Sequence, residues 1–355
     1  MRRERFFRMA RAEALALLAE APVVHLATTT PAGAPLIRTL HPVVVGDDVL
    51  FHAAAVGEKV ESLGRAAVVS AEEIIAAIPS YFLDAERACP ATTLYRSVQL
   101  HGTLEAVDDQ ATKARVLGGL MSKYQPEAGH VPIDPAHARY GELYDKQVAS
   151  ISILRVRADR LDGKAKLAQN RSPDERAQLL GKLWERGLDG DPRAIELIRA
   201  ANPDTPTPPF LQTTLPATLH CALDARDTAA AVSLLAPEYW NDIHPRERIA
   251  GAIAGSSVFV GARVDDKLVA CARAISDGHK YAWVYDVVVA AEWRGCGLGE
   301  AVMRLCLDHP RVRRAARVLL QTRDAQPLYR KLGFIEETEA PPRPYRSTGM
   351  LRIQR

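Results

Sequence analysis

WVYDVVVAAEWRGCGLG, residues Trp283–Gly299, is the stretch whose reading decides the fold. Its Val, Tyr and Trp residues run to Val287-Val288-Val289 and read as a buried strand, because β-branched and aromatic side chains suit a pleated surface packed on both faces. A short Ala-Ala-Glu-Trp link follows. Arg294-Gly295-Cys296-Gly297-Leu298-Gly299 then opens an amphipathic helix whose apolar stripe is Leu298, Val302 and Leu305. Strand, glycine-rich turn and helix in succession make an anion-binding device, since the first helical N–H groups lack acceptors inside the helix. Gly297 and Gly299 let a pyrophosphate approach the backbone with no Cβ in the way, and Arg294 adds a fixed positive charge. A glycine turn also serves merely to join a strand to a helix, so the surroundings decide.

Downstream, Val318–Thr322 (VLLQT) reads as another buried strand, and Asp324–Phe334 (DAQPLYRKLGF) as a short helix stopped by glycine. With these in place the last 140 or so residues resemble the GNAT acyltransferases. The family's acetyl-CoA signature (Gln or Arg, two residues, Gly, one residue, then Gly or Ala) is met at Arg294–Gly299. Its later A-x-x-L-Y-x-K-x-G-F pattern is met at Ala325–Phe334. The resemblance implies acetyl-CoA in a V-shaped opening beside Val287, Val288 and Val289, with a strand N–H near Val288 facing the developing oxyanion. It also implies that Tyr329 protonates the departing thiolate, which leaves Cys296 no part in the chemistry. Tyr239 and Trp240 stand where such proteins place a loop over the acceptor pocket, or they simply pack that loop. Asp286 either orients or deprotonates an acceptor amine, or serves as a structural hydrogen-bonding residue.

The chain has 355 residues, more than one hydrophobic core usually serves, so two domains are expected. Asn202–Pro209 holds four prolines in eight residues, which forbids both a helix interior and a central strand. The expected division is therefore 1–201, a linker at 202–212, and 213–355. The charged fraction of 25% and hydrophobic fraction of 47% are those of an ordinary folded protein. A net charge of +3 is too mild to argue for nucleic acid. The five cysteines are dispersed without a C-x-x-C pair, which argues against a disulfide framework or a zinc site and fits a reducing cytoplasm. The apolar stretch Ala14–Ala19 is too short for a signal peptide, and none is long enough to span a membrane.

Arg5–Ala21 reads as an amphipathic helix. Val23–Thr30, Leu36–Val45 and Val49–Ala53 read as strands joined by Pro31-Ala32-Gly33 and Gly46-Asp47-Asp48 turns, an antiparallel meander able to close into a small barrel. Arg38 and Thr39 lie on the second strand, His52 ends the third, and Lys59 begins a probable helix; singly, each is an ordinary surface group. Ile78–Tyr81, Thr92–Gly102 and the Gly163-Lys164-Ala165-Lys166-Leu167-Ala168-Gln169-Asn170-Arg171 segment add to them. Residues 15–185 then resemble the pyridoxamine-phosphate-oxidase-like split barrels, nearest the Pai-type FMN-binding regulators. Phe51-His52-Ala53-Ala54 followed by Gly57-Glu58-Lys59 is more similar to nitroimidazole-reductase-type barrels.

The resemblance implies a six-stranded split barrel, a homodimer, and FMN at the subunit interface. Arg38, Lys59 and Arg96 are its expected phosphate partners, with Thr39, His52, Ser97 and Gln99 as further contacts. Haem with a histidine ligand is the alternative cofactor on related barrels. The bland reading of Gln169-Asn170-Arg171 is a lead into the helix that Ser172-Pro173-Asp174-Glu175 caps.

The expectation is thus an antiparallel split barrel followed by an α/β GNAT fold. The barrel is either a flavin oxidoreductase or a flavin or haem sensor governing an N-acetyltransferase for a small amine. The Pai-type name also suggests a transcriptional regulator, but nothing here resembles a helix-turn-helix.

Overall fold

A computed structural model describes residues 4–54 and 56–340. The last fifteen residues of the expected second domain, 341–355, lie outside the described residues. The chain divides into two units, Met1–Leu179 with Leu197–Pro206, and Leu180–Glu196 with Thr207–Arg355.

The first unit begins with helices α1 (Glu4–Phe7) and α2 (Arg11–Glu20) in place of one continuous helix. Strands β1 (Val24–Thr29), β2 (Pro35–Leu40), β3 (Val43–Val45) and β4 (Asp48–Ala53) follow, then α3 (Glu58–Glu61). The stretch expected as one strand over Leu36–Val45 is broken at His41-Pro42, because proline cannot donate to a ladder. Its halves lie on opposite edges of a seven-stranded antiparallel sheet ordered β2-β1-β5-β6-β7-β4-β3. The long strands are β5 (Ala66–Ile78), β6 (Thr92–Val107) and β7 (Ser152–Lys166), with α4 (Gln110–Tyr124), α5 (Tyr140–Leu143) and α6 (Asp145–Ser150) between the last two. β4 pairs only with the first residues of β7, whereas β1 pairs with Val68–Ser70 of β5, a stagger of the kind that curls a sheet into a half-barrel.

Leu18 and Leu17 of α2 cover the buried face formed by Leu26, Val69, Leu100 and Val156. Gly163 makes that possible, since a Cβ there would sit 2.9 Å from the Cβ atoms of both Met9 and Ala14. The segment after it is a locked turn. Gln169 accepts from the Leu167 N–H and donates to the Ala165 carbonyl, and Ala168 has φ of 64°. Ser172 and Glu175 form the expected reciprocal cap at the start of α7 (Pro173–Arg186).

α8 (Asp191–Ala201) follows, and Leu180–Glu196, expected with the barrel, belongs by its contacts to the second unit. The reason is side-chain packing that no local pattern reports. Trp184 stacks on Phe210 at 4.3 Å and donates to Asp308, while Glu196 accepts from the Cys221 N–H.

The second unit continues with β8 (Thr218–His220), α9 (Ala225–Leu235) and α10 (Arg246–Ala254). β9 (Val258–Val264) and β10 (Lys267–Ser276) form the expected hairpin, with φ of 47° and 62° at Asp265 and Asp266 giving the twist a two-residue turn needs. Then come β11 (Tyr281–Val289), α11 (Leu298–Asp308), α12 (Pro310–Arg313), β12 (Arg317–Leu319) and α13 (Gln326–Lys331). The five strands are ordered β12-β11-β10-β9-β8. β11 and β12 are parallel but pair only over Tyr281–Trp283 and Arg317–Leu319. Beyond Trp283 the two strands part, and Val284–Val289 faces an opening instead of a neighbour.

Candidate active site

The opening is a cavity of about 810 Å³ lined by Val284–Val289, by Leu320–Ala325, by Glu238–Asn241 and by Gly299, Leu328 and Tyr329. Most of the residues expected to carry chemistry in the second domain therefore share one space.

At one side stands the start of α11. Gly295 and Gly297 have φ of 78° and 97°, left-handed values that favour glycine. Gly297 is the N-cap, and no side chain caps the helix. The N–H groups of Leu298, Gly299 and Glu300 are therefore open to an anion. A Cβ on Gly299 would make ordinary contacts, 3.5 Å from Val289 and 3.8 Å from Leu328, so α11 packs beside β11 and α13 at this point. Cys296 is exposed, its thiol donating to the Trp293 carbonyl.

Arg294 departs from expectation. Its Nε donates to the Val289 carbonyl at 3.0 Å, and Nη2 meets Glu238 Oε1 at 2.5 Å. Its charge is matched by a carboxylate and its arms tie the strand end to the Glu238 loop. The backbone N–H groups of the turn are open, whereas this guanidinium is shared with Glu238.

Asp286 sits in the ladder between β10 and β11 where the register shifts, with φ of 52°, a value uncommon outside glycine. The bulge turns its carboxylate inward. Oδ1 accepts from Trp240 Nε1 at 3.0 Å and Asn241 Nδ2 at 3.4 Å, and Oδ2 accepts from Arg273 Nε at 2.5 Å. Both side chains of the ion pair are at least 90% buried. Of the roles considered for Asp286, these bonds support the one that fixes neighbours. It anchors the Trp240 loop.

Tyr239 closes the cavity from the other side. The Arg323 guanidinium lies 3.6 Å from its ring centre, and its hydroxyl accepts from the Arg323 N–H at 3.3 Å. Trp240 meets it edge-on at 4.9 Å. Tyr329 is buried, with Phe334 edge-on at 5.9 Å and the Phe334 N–H bonded back to its carbonyl. Burial first, then Tyr239 and the Asp324 carboxylate, push its hydroxyl above the ordinary tyrosine range. It keeps its proton. Glu238, Arg273, Asn241 and Arg323 were not legible in the sequence, because each is defined by a partner distant along the chain.

In the first unit, His52 and Lys59 come within electrostatic reach of one another. Partial burial, then the charges of His41 and Lys59, lower the His52 imidazole below its ordinary value. Among the described residues Lys59 has no acidic partner, and Gly57 beside it has φ of 115°. Arg38 donates to the Ile37 carbonyl, and Thr39 is exposed opposite His25. Arg96 differs from expectation as a phosphate partner: Glu73 on β5 holds it at 2.5 Å, with both side chains about three-quarters buried. Ser97 and Gln99 continue β6 opposite Glu72 and Ser70. Of the three expected phosphate partners, Lys59 is the one whose surroundings best fit that work.

The pyridoxamine 5'-phosphate oxidase family model matches residues 10–165, and the acetyltransferase (GNAT) family model matches residues 226–334. The chain joins a pyridoxamine-oxidase-like domain to a GNAT domain. An uncharacterized N-acetyltransferase, ycf52, of Pyropia yezoensis is 30% identical over 100 residues, 27% of this chain and 58% of the relative. The counterpart in Porphyra purpurea is 36% identical over 74 residues, 21% of this chain and 42% of the relative. This chain thus spans about half the length of the curated relatives it matches. Among solved structures, a putative GNAT-family acetyltransferase from Xanthomonas campestris is 33% identical, with a TM-score of 0.31 over 35% of this chain and 85% of that one. The FAD and heme binding protein from Mycobacterium smegmatis is 21% identical, with a TM-score of 0.36 over 45% of this chain and 73% of that one. Among the described residues no helix of either domain is long and apolar enough to cross a membrane.

Proposed function

We propose that the GNAT domain transfers an acetyl group from acetyl-CoA to a small amine. The observation that carries this is the shared cavity: Gly299, in the first turn of an uncapped helix, and a buried, protonated tyrosine line the same opening in a parted sheet. The open N–H groups of Leu298–Glu300 hold the pyrophosphate. A neutral amine attacks the thioester carbon, and a strand N–H near Val288 receives the charge that develops on the carbonyl oxygen. As the tetrahedral species collapses, the C–S bond breaks and Tyr329 donates its proton to the departing sulfur. The attacking nitrogen loses a proton to solvent. Asp286, through Trp240 and Asn241, holds the loop against which the acceptor rests.

Gly297→Asp tests the pyrophosphate site. Aspartate enters a left-handed backbone at less cost than most residues and makes the anion site negative, and circular dichroism reports whether the helix withstands the strain at φ of 97°. Calorimetric titration should show acetyl-CoA affinity reduced at least about a hundredfold. Unchanged affinity would remove the turn from the proposal.

The barrel, in the same proposal, holds FMN, with Lys59 near its phosphate and a second copy of the chain completing the site. FMN would supply redox chemistry to an oxidoreductase or a sensor. The absorption spectrum of purified protein separates flavin from haem.

A further inference from the structure

Four arginines line the cavity of the GNAT domain, Arg248, Arg273, Arg294 and Arg323, and three carboxylates line it with them. Each carboxylate is already matched. Asp286 is paired with Arg273 at 2.5 Å, Glu238 with Arg294 at 2.5 Å, and Asp324 with Arg323 at 3.2 Å. Arg248 is the remainder: among the described residues its guanidinium has no carboxylate, carbonyl or ring partner. It stands in the first turn of α10, and His244 lies in the bend just before the N-cap Pro245. His244 lines the same cavity and carries a buried Nδ1 with no hydrogen-bond partner. The pocket is therefore lined by one cation and one histidine ring nitrogen that have no partner among the described residues.

We infer that the acceptor amine carries an anionic group, a carboxylate or a phosphate, that Arg248 binds with His244 beside it. This rests on the acetyl-transfer reading of the domain and narrows its substrate class. A guanidinium presents paired N–H donors in the fixed geometry that carboxylates and phosphates accept. Arg248 is exposed along this cavity, so the contact adds a charge-assisted hydrogen bond for the anionic amine and nothing for its neutral counterpart. Decarboxylated amines with the same skeleton should be poor acceptors.

The full-length chain would be assayed for acetyl transfer to matched pairs: histidine and histamine, phenylalanine and phenethylamine, O-phosphoethanolamine and ethanolamine. The anionic member of at least one pair should be favoured in kcat/KM by about ten- to hundredfold; whether the first two pairs or the third shows it separates carboxylate from phosphate. Arg248→Met should erase the preference by raising KM for the anionic member, with acetyl-CoA affinity by calorimetry unchanged. Arg248→Lys should restore part of it, and Arg246→Met, whose guanidinium bonds Ser233 on α9, should leave it intact. Equal use of both members of every pair, transfer to none of them while acetyl-CoA binds, or a preference that survives Arg248→Met would each overturn the inference. Failure of acetyl-CoA to bind the wild-type chain would instead overturn the acetyl-transfer reading beneath it.

Discussion

Substitution of Asp286 tests how the cavity is held open. Its carboxylate is the common acceptor for Arg273, Trp240 and Asn241, and the ion pair is at least 90% buried. Asp286→Asn keeps an oxygen for Trp240 and a residue type that tolerates φ of 52°, but it leaves a buried guanidinium without its counter-charge. Removing one partner of such a pair costs about 3–5 kcal/mol. Asp286→Ala loses all three bonds and adds about 1–2 kcal/mol of left-handed strain, which Asp286→Gly avoids. The expected order of stability is wild type, then Asn, with Gly above Ala. All four tryptophans, Trp184, Trp240, Trp283 and Trp293, belong to the second unit, so urea unfolding followed by tryptophan fluorescence in the full-length chain reports that unit alone. The paired change Arg273→Met with Asp286→Asn should recover part of the loss, because no buried charge is left unpaired while the left-handed backbone and the bond from Trp240 are kept. A loss under about 1 kcal/mol for Asp286→Asn would show that the carboxylate is not the anchor described here.

Tyr329→Phe keeps the ring against Phe334 and deletes the hydroxyl; kcat should fall by roughly ten- to thousandfold with acetyl-CoA affinity little changed. Since burial holds that hydroxyl above its ordinary 10.0, any alkaline decline in wild-type kcat that it causes should have its midpoint above pH 10 and vanish in the variant. His309 is buried, with its imidazole pulled from 6.5 down to about 3 by burial and by Arg313 and Arg311. The unfolded chain binds the extra proton between those values, so stability is intact above pH 6.5 and falls as pH drops toward 3, by at most about 1.4 kcal/mol per unit. His309→Asn, which keeps an acceptor for the Arg311 N–H, should flatten that slope in urea titrations at pH 7, 6 and 5; parallel slopes would refute the assignment. Lys59→Met should weaken FMN more than riboflavin, which lacks the phosphate, and equal weakening would place Lys59 elsewhere.

What the sequence shows clearly is what neighbouring residues decide among themselves. β11 and α10 begin and end where alternation, glycine and proline set them, and the Asp265-Asp266 turn follows from the short polar link between two apolar runs. Pairing across the fold is a different matter. Nothing in Leu36–Val45 says that its two halves will lie on opposite edges of one sheet; only Pro42 hints that the strand must break. The three residues of β8 are too few to show a period, and Leu180–Glu196 reads as part of a helix pair until Trp184 finds Phe210.

Arg294 shows the same limit inside the candidate site. Its place in the signature is plain from spacing, and a cation beside an anion-binding turn is the natural reading. Glu238, 56 residues away, decides otherwise by taking the charge. Once that pair is formed, the attraction for a pyrophosphate rests on backbone N–H groups, which any sequence able to make the turn supplies. Glycine at 297 then matters more than arginine at 294 for binding, because Gly297 supplies the left-handed N-cap from which the helix starts. The arginine matters for where the Glu238–Asn241 loop stands, and through that loop for the acceptor side of the cavity. Loss of Arg294 should therefore register in the acceptor's KM before it registers in the affinity for acetyl-CoA.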